Sequence, residues 1–167
     1  CTQIISGAGF ADDKKAAAYR HRGLARADAG ARDAAIADLG EAIRLNGGDA
    51  AAYAGRATAR LAKGEIDAAI MDFSAALRLS PRAVPTLIGR GHAYLVKGNA
   101  DGAIADFSEA LRIDPKSASA LNNRGLAHRK KGDIDRAIDD YTAAINLNPI
   151  YALAYNNRGY AYEAKGM

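Results

Sequence analysis

Residues 84 to 117 read VPTLIGRGHAYLVKGNADGAIADFSEALRIDPKS. Apolar and small residues recur at helical spacing on both sides of the KGN triplet, which predicts two amphipathic helices joined by a short turn. Gly98 stands where the first helix must end, because glycine accepts the left-handed backbone of a helix C-cap. Lys97 beside it lies favourably against the helix dipole. Asn99 is placed to cap the second helix, and Asp101 falls in its first turn. Pro115 stops that helix. Pro85 fits the first turn of the first helix, where its missing N–H costs nothing.

Stepping outward from Gly98 in strides of 34 residues reaches Gly30, Gly64, Gly132 and Gly166, so the pattern is a repeat. The same stride links Arg22, Arg56, Arg90, Arg124 and Arg158, then Ile36, Ile70, Ile104 and Ile138, then Asp38, Asp72, Asp106 and Asp140. The phrase NNRG at 122–125 returns at 156–159 in the same register. Small residues hold the eighth place of every repeat: Gly23, Ala57, Gly91, Gly125 and Gly159. A glycine inside a helix costs about 1 kcal/mol relative to alanine, so its recurrence needs a packing reason, which is the close approach of paired helices.

These positions resemble the tetratricopeptide repeat, a 34-residue helix-turn-helix unit. The resemblance rests on those small residues, on Ala35, Ala69, Ala103 and Ala137, and on Ala42, Ala76, Ala110 and Ala144. It rests also on the large apolar residues Leu39, Phe73, Phe107 and Tyr141, and on Pro81, Pro115 and Pro149, with Gly47 as the exception. It divides the chain into full units 16–49, 50–83, 84–117 and 118–151 and a half unit 152–167, behind an N-terminal half-repeat and linker over 1–15. The resemblance implies an all-α fold, a right-handed superhelical solenoid of antiparallel helix pairs. It also implies a non-catalytic scaffold that binds a peptide or protein segment in a concave groove lined by the first helices. Carried onto this chain, that groove holds Arg20, Leu24, Ala54, Thr58, Leu61, Ile88, His92, Leu95, Asn122, Leu126, Arg129, Asn156 and Tyr160. Leu61, Ile88, Leu95 and Val96 make an apolar middle, and Asn122, Arg129, Lys130 and Asn156 a polar end suited to a peptide backbone.

The chain departs from the family at the seventh place, where leucine is usual and all five repeats carry arginine. Together with Asp38, Asp72, Asp106 and Asp140 these arginines form a ladder with two readings. One is a basic array for an acidic ligand. The other is a structural pairing of each Arg with an Asp of its own or the adjacent repeat, which we favour because a binding site rarely needs one residue in every unit. Arg26, Arg60, Tyr94, His128 and Tyr162 share another register position and read as helix-packing residues with amphipathic side chains. Among family members that clamp acidic chaperone tails, Lys, Arg and Asn hold fixed places. Here Arg20 fits but Leu24, Gly55, Pro85 and Gly89 do not, and from the third unit Asn123 fits but Ile88, His92, Leu153 and Asn157 do not.

No enzyme is expected. His21, His92 and His128 lack the paired spacing of a metal site, and one cysteine excludes a multi-cysteine site. No nucleophile sits in a strand-turn-helix elbow, and GRGHAYLVKG is not a phosphate loop. No cofactor is implied. With 23 Lys and Arg against 19 Asp and Glu the net charge is only +4, and the repeating Asp offsets the repeating Arg, so nucleic acid is disfavoured as a partner. No apolar run reaches the roughly 18 residues of a membrane span. The expected partner is an unidentified protein or peptide.

Both ends raise expectations of their own. CTQIIS at 1–6 aligns with FSEALR at 107–112 as the end of a second helix, followed by a loop, GAGFADDKK, over 7–15. A first residue Cys1 rather than Met points to processing, with a lipid-bearing mature N-terminus as the competing reading. The wording resembles periplasmic or secreted bacterial repeat proteins, which places the chain there ahead of the cytoplasm. At the other end the half unit leaves Leu153, Tyr155, Tyr160 and Tyr162 uncovered, which suggests a homo-oligomer through the C-terminal half-repeat. Self-assembly through terminal repeats is thus the alternative function.

Overall fold

The computed structural model describes residues 11–166, and all regular structure within them is helical. In chain order these residues form α1 (Asp12–Asp28), α2 (Arg32–Leu45), α3 (Ala50–Lys63), α4 (Ile66–Leu79), α5 (Val84–Lys97), α6 (Ala100–Ile113), α7 (Ala118–Lys131), α8 (Ile134–Leu147) and α9 (Ala152–Ala164). Each full repeat supplies one antiparallel pair, α1 with α2 through α7 with α8, and α9 is the first helix of a fifth repeat. The loop expected over 7–15 differs in its described part: residues 12–15 are the first turn of α1. Asp12 and Asp13 complement the positive end of that helix dipole, which favours helix there. The half-repeat expected over 1–6 lies outside the described residues.

The helices end where the sequence punctuates them. Gly64, Gly98 and Gly132 follow α3, α5 and α7 with φ of 84°, 85° and 91°, the left-handed backbone that other residues adopt at a cost. The Asn99 side chain accepts a hydrogen bond from the Gly102 N–H at 2.9 Å and so caps α6. At the proline exception, the Asn46 side chain accepts from the Gly48 N–H at 3.0 Å, an Asx turn that ends α2 without proline.

The chain divides into two compact halves, residues 1–81 and 82–167. In the first, α1 packs on α2, α2 on α3 and α3 on α4, and α1 also reaches α3. In the second, α5 to α9 pack in succession, while α5 reaches α7 and α7 reaches α9. Within each half, successive first helices touch and successive second helices do not, so the first helices lie on the inner side of the stack.

Three of the four pairs are held by a knob set against a missing side chain. A Cβ placed on Gly23 would lie 2.7 Å from Leu39 Cγ, one on Gly91 2.6 Å from Phe107 Cε1, and one on Gly125 2.8 Å from Tyr141 Cε1. Leu39, Phe107 and Tyr141 are the largest fully buried side chains, and burial of such a group contributes roughly 1.5–3 kcal/mol. The recurring alanines, Ala35, Ala42, Ala103, Ala110, Ala137 and Ala144, are sealed around them.

Candidate interaction surfaces

Arg22, Arg56, Arg90 and Arg124 each fork onto the aspartate sixteen residues later in the same repeat. Nε and one terminal nitrogen donate to the two carboxylate oxygens of Asp38, Asp72, Asp106 and Asp140 at 2.6–2.9 Å. All four aspartates are buried. A buried carboxylate needs such a partner, because an unpaired charge away from water is costly. The hydrogen bond to aspartate holds each of the four guanidinium groups above its ordinary pKa, against the opposing effect of burial. These ladder residues are occupied with one another and present no open basic array.

One contribution escaped the sequence reading. In the first two repeats a second arginine reaches the same carboxylate, Arg26 to Asp38 and Arg60 to Asp72, both at 2.7 Å. The third repeat has Tyr94 at this place, with the Arg90 guanidinium 5.9 Å from its ring centre. The fourth has buried His128, whose Nε2 lies 4.0 Å from Asp140 and Nδ1 3.6 Å from Asp133. The spacing was a usable signal, since an arginine twelve residues before a buried aspartate lies on the helix face that its forked neighbour occupies. A shallow cavity of about 400 Å³ opens beside His128, lined by Ile104, Ser108, Arg124, Arg136, Asp139 and Asp140.

The groove residues divide by their surroundings. In the first half, Arg20 donates to the Asp49 carboxylate at 3.1 and 3.3 Å, and Asp49 in turn caps α3. Leu24 presses on Gly55, whose added Cβ would meet Leu24 Cδ2 at 2.6 Å. Ala54 and Leu61 are half-buried, and Thr58 is exposed with its hydroxyl donating to the Ala54 carbonyl. In the second half, His92, Asn156 and Tyr160 are exposed, and Ile88, Leu126 and Arg129 are half-buried.

Two of these residues are buried. Asn122 is only 4% exposed, and its Oδ1 accepts from Asn157 Nδ2 at 2.9 Å, so its polar group is spent between adjacent first helices. Leu95 is 3% exposed, packed with Ala103, Phe107 and Ala127. Leu95 forms the floor of a notch of about 160 Å³ between α5 and α7, whose rim is His92, Val96, Leu126 and Lys130.

The most exposed apolar surface of the second half is at its end. Ile150, Leu153, Tyr155 and Tyr160 are 45–89% exposed. Gly159 has no atom within 4 Å of where its Cβ would stand, unlike Gly125 one repeat earlier. Arg158 keeps the pose of the other ladder arginines. Its terminal nitrogen donates to Thr142 Oγ1 at 3.2 Å, as Arg124 donates to Ser108 at 3.4 Å, and its guanidinium lies over Tyr155. No carboxylate pairs with it among the described residues.

Among the described residues no group of three or more His, Cys, Asp or Glu is arranged to hold a metal ion, and no helix is long and apolar enough to cross a membrane. The models of the tetratricopeptide repeat match residues 20–84, 91–132 and 125–166. No curated protein sequence matches the chain. Solved structures do. MamA from Desulfovibrio magneticus RS-1 superposes with a TM-score of 0.84 at 21% identity over 91% of this chain and 86% of that one. YrrB, described as a TPR protein with an unusual peptide-binding site, superposes at 0.75 and 21% identity over 89% and 76%. The first TPR of Spaghetti (RPAP3), bound to an HSP90 peptide, superposes at 0.68 and 20% identity over 71% and 94%. At such identities the likeness is one of fold.

Proposed function

The chain belongs to the tetratricopeptide repeat family, and from that premise we propose a protein-interaction scaffold, without catalysis, that associates with copies of itself through the open face of α9. The observation that carries this reading is the run of exposed apolar residues on and just before α9, Ile150, Leu153, Tyr155 and Tyr160. They lie together with Gly159, where an added Cβ would meet no atom within 4 Å. An exposed apolar patch of this kind is what a second copy would bury.

Light scattering across a hundredfold range of concentration tests it. The mass is expected to rise above the 17.5 kDa of one chain, and Leu153→Asp with Tyr160→Asp to return it to that value. A monomeric mass at every concentration would defeat the reading.

A second reading is favoured by the notch between α5 and α7. An extended peptide would place one apolar side chain over Leu95 and Leu126 and a carboxylate near Lys130. The peptide-bound RPAP3 relative supports that mode in general. The residues of the chaperone-tail clamp are not in place here, and Asn122 is already engaged by Asn157.

A further inference from the structure

We infer that the cavity beside His128 is a receptor for a guanidinium group brought from outside the chain, the side-chain chemistry of arginine. The inference goes beyond the assembly proposed above and uses none of the exposed residues of α9. Its ground is a difference between repeats. Asp38 and Asp72 each accept three N–H bonds, two from the forked arginine and a third, at 2.7 Å, from Arg26 or Arg60. Asp140 accepts two from Arg124, and at the place of the second arginine stands His128. That shorter side chain brings its Nε2 only to 4.0 Å from Asp140, beyond hydrogen-bond reach. The cavity of about 400 Å³ opens at this point among α6, α7 and α8, with Asp140, Asp139 and Ser108 in its lining.

Several observations favour a guanidinium over other occupants. Two such groups on one buried carboxylate already occur in the first two repeats, so Arg124 does not bar a second. Arg26 and Arg60 keep 38% and 24% of their side chains exposed, so this place in a repeat is reached from solvent. Arg136, the other cation of the lining, is mostly exposed and stands 3.9 Å from Asp133. His128 is buried with its Nδ1 lacking a hydrogen-bond partner, and a neutral imidazole carries one acceptor nitrogen. A guanidinium presents several N–H donors in one planar fork and so engages more of these acceptors at once than a compact ammonium does. A phosphate would set its charge against both aspartates.

The test follows the backbone amide signals of residues 104–108 and 136–140 by NMR while methylguanidinium is titrated into the full chain. Saturable shifts are expected. His128→Arg supplies the missing arginine from within, as Arg26 and Arg60 do, and should weaken binding about tenfold or more. Asp139→Asn should weaken it as well. Asp139 is exposed, so that variant keeps the fold and decides the matter should His128→Arg melt below the parent chain. Acetyl-Gly-Arg-Gly-amide binding more tightly than methylguanidinium would assign the group to a partner's arginine, and equal binding would assign it to a free small molecule. Either supports the receptor. Absence of saturable shifts, binding indifferent to His128→Arg and Asp139→Asn, or the same shifts from inorganic phosphate or acetyl-Gly-Lys-Gly-amide overturns the inference.

Discussion

Single residues in this chain acquire their roles from what stands opposite them. Gly125 and Gly159 occupy the same place in successive repeats, yet a Cβ on the first would crowd Tyr141 and a Cβ on the second would meet no atom within 4 Å. Gly125→Leu is expected to cost about 1–3 kcal/mol by overpacking, whereas Gly159→Leu is expected to hold or raise the melting temperature, because glycine in a helix costs about 1 kcal/mol. Equal melting shifts for the two would refute this account of their surroundings. Tyr141 carries a second test. Its hydroxyl is buried with no hydrogen-bond partner among the described residues, and burial pushes its pKa up, with the charge of Arg129 pulling the other way. A tyrosine raised in the folded state keeps its proton after the unfolded chain has lost it, so its contribution holds below the ordinary value near 10 and is lost as pH rises past it. Tyr141→Phe should leave stability at pH 7 unchanged or raise it by up to about 1 kcal/mol, and make the alkaline loss shallower. A clear drop at pH 7 in urea denaturation, or an unchanged alkaline slope, would count against this account.

At the level of helices, two kinds of ionic contact do different work. The Arg–Asp forks join the two helices of one repeat and are buried on the aspartate side. A second set, Lys63–Asp33, Lys131–Asp101 and Lys165–Asp135 at 2.6–2.7 Å, joins the end of one first helix to the start of the preceding second helix. These lysines are held above their ordinary pKa by the hydrogen bond to aspartate, so what they contribute is present below about pH 10 and fades as pH climbs through their raised values. Being exposed, they set register more than stability. The buried forks are another matter. Asp72→Ala leaves Arg56 and Arg60 both without their shared carboxylate and is expected to cost about 3–5 kcal/mol in urea denaturation. Asp140→Ala, which releases one arginine and a more distant histidine, should cost less. Equal and small losses for both would show that the ladder is not a brace.

On the scale of the whole chain, the exposed apolar residues of the second half gather on and beside α9, at Ile150, Leu153, Tyr155 and Tyr160. Assembly through this apolar face should survive added salt, since buried apolar area is not screened as surface charge is. The 34-residue stride, the pairs of helices, the glycine turns and the alanine seams were all legible in the sequence, because each depends on local propensity and a fixed helical period. The pairing of Arg22 with Asp38 was legible only as one of two readings, and the second arginines, Arg26 and Arg60, passed as packing residues. Asn122 and Leu95, placed by register on a ligand-facing surface, turned out to be buried against Asn157 and Phe107. The sequence by itself determined which residues recur and therefore which helices form. Only the tertiary structure decided which recurring side chains are consumed by a neighbour and which remain on offer, because that depends on the element packed opposite, and no periodicity along the chain records whether one is there.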